Sequence, residues 1–274
     1  MIALLLAALL AAPDSTAASG GYGYTPLRQL GDESVDVVER LGEPLPVKLR
    51  FYDSFHNDVA LADFLDGKRP VLVSLVYFDC PMLCSLVMKG LVKGLNDTGL
   101  QLGKDYRAIT VSFDPKDTPR AAGEAQRGYL AGLKSREAAH PQDWPFLTGG
   151  EANIRAAAEA LGFKYRYDKP TAQYAHPAVA FVLTPEGRIS RYLYGVDFPG
   201  RDLRLSLVEA SGGRVGTSFD RVLLKCFRYD PRTGRYRLFA LNFVRGGAFV
   251  SFLALAFGLA VLWRKEWKRK RSGA

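Results

Sequence analysis

The sequence predicts an α/β fold, a mixed sheet flanked by helices, on three observations. First, β-rich apolar runs at 70–78 and 106–113 are each followed by a stretch with helical character, the pattern of strands covered on both faces. Second, runs at 178–184 and 188–194 are joined by the turn signal Pro185-Glu186-Gly187, and such a hairpin brings antiparallel pairing into the sheet. Third, 274 residues that are 48% apolar and 12% aromatic supply a core for one domain and exclude global disorder. Three cysteines are too few to staple a chain of this length, which excludes a disulfide scaffold.

Each element has its own justification. Residues 70–78 (PVLVSLVYF) read as a central strand, and 82–95 keep Leu83, Leu86, Val87, Leu91 and Leu95 near helical spacing. Residues 106–113 form the second strand. Thr118 then offers an N-cap and Pro119 the first helical position of a helix running toward Leu133. An Ala-rich helix at 153–161 is closed by Gly162. A short strand at 163–167, the 178–194 hairpin and a helix at 202–210 follow. Strands at 221–229 and 235–241, joined through 230–234, read as a last hairpin. Strand, helix, strand, helix, hairpin, helix is a thioredoxin-like order. The expected organisation is a thioredoxin-like domain at 25–210 followed by a juxtamembrane β extension at 211–243.

Two terminal segments point to a membrane. Residues 2–12 are almost all Leu and Ala, too few to span a bilayer, and the small residues after Pro13 offer a cleavage site. Residues 1–18 are therefore expected to be a secretory signal peptide. The uncharged run 246–263 would make about 27 Å of helix, close to the hydrocarbon thickness of a bilayer. Trp263 and Trp267 sit at its interfacial end, and 264–274 carries six basic residues against Glu266. A transmembrane helix at 246–263 with a basic cytoplasmic tail at 264–274 is the expectation. That tail holds five of the nine net positive charges, so the rest of the chain is nearly balanced and gives no case for nucleic acid.

The chemistry sits at Cys80 and Cys84, where the first central strand meets its helix. A thiol at a helix N-terminus is favoured as thiolate, which is both a nucleophile and a metal ligand. On one helical face, residues four apart have Cβ atoms about 5–6 Å apart, wider than the roughly 3.8 Å of a disulfide. The spacing therefore favours a metal clamp, without excluding a disulfide should Cys80 lie before the helix. Two soft sulfurs suit Cu(I), zinc or an iron–sulfur cluster. Of the three histidines, His56 and His140 sit in polar loops and read as solvent-exposed. His176 precedes the strand 178–184, which in a thioredoxin-like sheet runs antiparallel to 70–78. Its start then lies beside the cysteines, and His176 is the candidate third ligand. Met82, whose thioether is a further soft donor, reads as a packing or solvent-facing side chain, Asp79 as a helix-entry loop residue, Cys226 as a core thiol, and Tyr129, Tyr165 and Tyr174 as core or rim aromatics.

Three ordered motifs carry a family resemblance: Tyr77-Phe-Asp-Cys80-Pro-Met-Leu-Cys84, Val111-Ser-Phe-Asp114-Pro-Lys-Asp117-Thr-Pro119, and His176 followed by Thr184-Pro-Glu-Gly187. Over roughly 45–194 the chain resembles the Sco/SenC family, thioredoxin-like copper chaperones of cytochrome c oxidase assembly. The C-terminal region resembles the family's membrane-anchored bacterial branch. The resemblance implies Cys80, Cys84 and His176 as copper ligands, and the dinuclear copper centre of oxidase subunit II as the target. Cu(I) is expected on the reduced pair, Cu(II) is admitted by the imidazole, and zinc is the runner-up metal. Members often carry Asp before the histidine; here Ala175 and Pro177 flank it, so the sequence does not name the group that orients the imidazole.

Three functional classes compete. The first is a metallochaperone in the bacterial inner membrane, its functional domain in the periplasm. Its partners would be oxidase subunit II and other periplasmic copper chaperones or thiol reductants. The second is an enzyme, a thiol-disulfide oxidoreductase acting on the oxidase's copper-ligand cysteines through Cys80 and Cys84. The third, a peroxiredoxin-type peroxidase, wants Thr three residues before the reactive cysteine, where Tyr77 stands. His176 separates the first two, because a dithiol exchange centre has no use for an imidazole ligand.

Overall fold

The computed structural model describes residues 35–80, 82–134, 140–212, 227–230, 235–238 and scattered positions between 251 and 264. Its centre is a five-stranded mixed sheet of β3 (Val71–Val76), β4 (Arg107–Ser112), β5 (Phe146–Leu147), β8 (Val179–Leu183) and β9 (Ile189–Tyr194), in the order β5-β4-β3-β8-β9. β3 runs parallel to β4, and β4 parallel to β5; β3–β8 and β8–β9 are antiparallel. Every residue of β3 and β8 is buried, as expected for strands covered on both faces.

Helix α1 (Leu83–Asn96) connects β3 to β4, and α2 (Pro119–Ala131) connects β4 to β5. Helices α3 (Glu151–Ala160) and α4 (Gly200–Ala210) complete the domain. α1 packs against α4 and α2, while α4 also lies against β8 and β9. Thr118 caps α2 as expected, its hydroxyl accepting the Ala121 amide at 3.3 Å. α1 carries Gly90 where the chain passes very close: a Cβ there would lie 1.9 Å from the Val196 carbonyl oxygen. Gly162 ends α3 at φ +63°, and a Cβ there would lie 1.8 Å from the Val38 oxygen.

A polar chain crosses the sheet interior. Ser74 and Thr110 are register partners on β3 and β4, with hydroxyls 2.8 Å apart, and the Trp144 indole donates to Thr110 Oγ1 at 2.8 Å. All three side chains are buried, and the chain satisfies their polar atoms.

Several short strands escape a periodicity reading. β1 (Arg50–Tyr52) and β2 (Asp58–Ala60) form a small hairpin, whose tip carries the exposed His56. The strand expected at 163–167 is a correction. Phe163 makes only an isolated bridge to Val37, and the ladder is β6 (Arg166–Asp168) with β7 (Gln173–Ala175). The reason is packing: Phe163 and Tyr165 turn into an aromatic cluster around Phe113. Among the described residues the last expected hairpin is represented by β10 (Phe227–Asp230) paired antiparallel with β11 (Arg235–Leu238).

Residues 1–18, Cys226 and the tail beyond Arg264 lie outside the described residues, as do most of 211–243 and of the expected span 246–263. Among the described residues no helix is long and apolar enough to cross a membrane.

Candidate metal centre

β3 ends at Val76 and α1 begins at Leu83, so Cys80 lies in the connecting loop and only Cys84 is helical. The picture of both cysteines on one helical face is thereby corrected. Cys80 Sγ instead folds back to accept the Cys84 amide at 3.3 Å, satisfying one of the free donors of the first helical turn. The Tyr77 amide donates to Cys84 Sγ at 3.4 Å. Each sulfur thus receives a backbone N–H, which favours the anionic form; at Cys84 the hydrogen bond to Cys80 and burial outweigh it.

His176 sits between β7 and β8. The β3–β8 register pairs Ser74 with Ala180, so the chain entering β8 lies beside the chain leaving β3. This brings His176 Nε2 to 3.4 Å from Cys84 Sγ, although the two residues are 92 apart in sequence. The other ring nitrogen, Nδ1, lies 3.0 Å from the Pro177 carbonyl oxygen. A carbonyl only accepts, so Nδ1 carries the proton and the bare lone pair of Nε2 faces the sulfurs. This backbone carbonyl orients the imidazole where the neighbouring side chains offer nothing. Rings close the rest of the shell: Phe113 has its centroid 5.1 Å from the imidazole, Phe163 6.1 Å and Tyr77 6.2 Å.

The three ligand atoms lie within 4.8 Å of one another, a cluster of metal-ligating type among the described residues. A trigonal metal with sulfur at about 2.3 Å and nitrogen at about 2.0 Å would set its ligand atoms about 3.7–4.0 Å apart, so the donor set fits with little adjustment. Exposure is graded across the site. Cys84 is 3% exposed and His176 5%, whereas Cys80 is half-buried. The other sequence candidates stand apart: His56, His140 and Asp79 are exposed, and Met82 is 68% exposed.

The protonation states follow from the contacts. A hydrogen bond from the Cys84 thiol lowers Cys80 to about 4, against the cost of burial and with help from the Cys84 amide and the Tyr77 hydroxyl. The same hydrogen bond, together with burial, pushes Cys84 up. Burial lowers His176, keeping it neutral. At neutral pH the site therefore holds one thiolate, one thiol and one neutral imidazole. The single Cys84 proton faces two acceptors, Cys80 Sγ and His176 Nε2, and a metal ion replacing it would satisfy all three groups.

The Phe113 ring, the Pro177 carbonyl and Asp117 were not identifiable as site groups from the sequence. The Phe78 amide donates to Asp117 Oδ2 at 2.7 Å. The available signal was the motif at 111–119, which contains both Phe113 and Asp117 and marks the segment without assigning either residue a role at the site. The thiolate assignment has a direct check in the reduced, metal-free protein. Alkylation of Cys80 by iodoacetamide should change less than about threefold from pH 6 to 8, where an ordinary thiol gains roughly tenfold per unit. A rate that climbs tenfold per unit would show a protonated Cys80.

The SCO1/SenC family model matches residues 47–202. Among solved structures, an Aquifex aeolicus VF5 protein assigned to electron transfer is 28% identical, with a TM-score of 0.56 over 63% of this chain and 95% of that one. A second Aquifex aeolicus VF5 structure, assigned to electron transport, is 28% identical with a TM-score of 0.52, over 63% of this chain and 99% of that one. A SCO1/SenC family lipoprotein from Bacillus anthracis str. Ames shares the fold at 16% identity and a TM-score of 0.51, over 64% of this chain and 99% of its own. No curated protein matches the chain. The family match spans more than half of the sequence and contains both cysteines and the histidine, and the chain therefore belongs to the SCO1/SenC family.

Proposed function

We propose that this chain is a copper metallochaperone that binds one copper ion through Cys80, Cys84 and His176 and delivers it to the dinuclear copper centre of cytochrome c oxidase subunit II. The observation that carries the reading is the bare Nε2 of a buried, neutral His176, aimed at Cys84 with its other nitrogen tied to a carbonyl. Two sulfurs and one imidazole form a soft donor set that suits copper, and family membership supports the oxidase as destination.

Graded exposure suggests how the cargo leaves. Cys84 and His176 hold the ion from the interior, while Cys80 stands at the rim. An acceptor thiolate approaching from the Cys80 side forms its sulfur–copper bond as the Cys80–copper bond breaks. Cys80 departs as the thiolate its surroundings already stabilise. Copper keeps its oxidation state and passes by ligand exchange.

One observation favours a second reading. A thiolate at Cys80 beside a protonated Cys84 is also the arrangement of an attacking thiol and its resolving partner. His176→Ala separates the two. It should weaken copper binding, measured by competition with a chromophoric chelator, and weaken oxidase loading with it. Exchange with a small disulfide should stay within roughly tenfold of wild type, the effect of one pKa unit. Normal loading with collapsed exchange would establish the oxidoreductase instead. The same titration with zinc tests the runner-up metal.

The proposal also places the domain in the bacterial periplasm, tethered by 246–263 to the inner membrane, with the tail in the cytoplasm. The signal-like N-terminus and the basic residues after Trp263 support this topology. Leu255, Phe257, Leu259 and Trp263 support it further, as exposed apolar side chains on helical backbone. Alkaline phosphatase fused after Leu241 should be active, and fused after Ala274 inactive; the reverse pattern would refute the topology.

A further inference from the structure

We propose that Asp117 is a positioning residue for the metal centre: its carboxylate fixes the loop between β3 and α1, so that Cys80 Sγ meets the Cys84 amide. The inference rests on the copper reading of the site, and it concerns a residue that touches none of the three ligands in the described contacts.

The loop needs an external anchor. The last sheet-type bond on the cysteine side of β3 runs from the Phe113 amide to the Val76 carbonyl at 2.9 Å. Past that point the chain leaves the ladder, and the Phe78 amide faces no strand. It donates to Asp117 Oδ2 at 2.7 Å, two residues before Cys80. The Ser112 hydroxyl, at the end of β4, donates to the same oxygen and accepts the Asp114 amide at 3.1 Å. One carboxylate oxygen therefore joins the end of β4, the turn into α2 and the cysteine loop.

Asp117 is itself held firmly. Its amide donates to the Asp114 carbonyl at 3.1 Å, and the next residue, Thr118, caps α2. The anchor thus stands on the rigid start of a helix rather than on a second loop, the setting in which a supporting side chain can hold a ligand's position. A merely structural role for Asp117 predicts that variants lose metal affinity in proportion to stability. A positioning role predicts that affinity follows the acceptor oxygen, with or without its charge.

Asp117→Asn keeps an oxygen where Oδ2 accepts both donors, and Asp117→Ala removes it. We would measure Cu(I) affinity by chelator competition, Cys80 alkylation at pH 6 in metal-free protein, and thermal unfolding as a control. The expected result is an affinity loss of roughly tenfold or more in Asp117→Ala with slower alkylation, and Asp117→Asn within about threefold of wild type on both. Asp117→Ala matching wild type, or Asp117→Asn failing as badly as Asp117→Ala, would overturn the proposal. Should Asp117→Ala not fold, Asp117→Glu keeps the charge but shifts the oxygen by a methylene, and it must lose more affinity than Asp117→Asn; parity with wild type would overturn the proposal. If wild type binds no Cu(I), the copper reading falls, and the alkylation arm still decides the role of Asp117.

Discussion

The antiparallel pairing of β3 with β8 is the constraint on which the site depends. β3 delivers the cysteine loop at its end and β8 receives the histidine loop at its start, so only antiparallel neighbours bring the two loops to one edge. The register matters as much as the direction. A slip of one residue would exchange the faces of β8 and redirect the chain that carries His176. Because both strands are buried on both faces, such a slip would force repacking on each side of the sheet. On the other side of β3, the hydroxyl contact between Ser74 and Thr110, with the Trp144 indole behind it, ties β3 to β4, the strand that ends near Asp117.

On this frame the chemistry is a contest for one proton. Burial denies His176 a charge and raises the Cys84 thiol, while backbone and thiol donors converge on Cys80. The result is a site with more acceptors than protons, with the rings of Phe113, Phe163 and Tyr77 against its imidazole. Such a pocket gains from a soft cation what water cannot supply. The half-exposed Cys80 gives it a single labile side, which suits a protein that must release what it binds.

Much of the frame was legible in the sequence because its signals are local. The runs that became β3, β4 and β8 are β-rich and continuous, and Thr118-Pro119 announced α2 directly. His176 was reachable through topology and through the motif that it forms with Thr184-Pro-Glu-Gly187, since its immediate neighbours do not distinguish it from His56 or His140. Other features left no residue-type signal. β5 and β7 are two and three residues long, too short to show a period. The position of Cys80 ahead of the helix depends on a loop anchored by Asp117, 39 residues from Phe78. The imidazole is oriented by the carbonyl of Pro177, and a backbone group is the same in every residue.

The central claim is that the imidazole joins the two sulfurs on one ion. X-ray absorption at the copper edge, on protein loaded with one equivalent of Cu(I), tests it most directly. Two sulfur neighbours and one nitrogen neighbour are expected, with the nitrogen lost in His176→Ala. Two sulfurs alone in the wild type, or a nitrogen that persists in the variant, would contradict it.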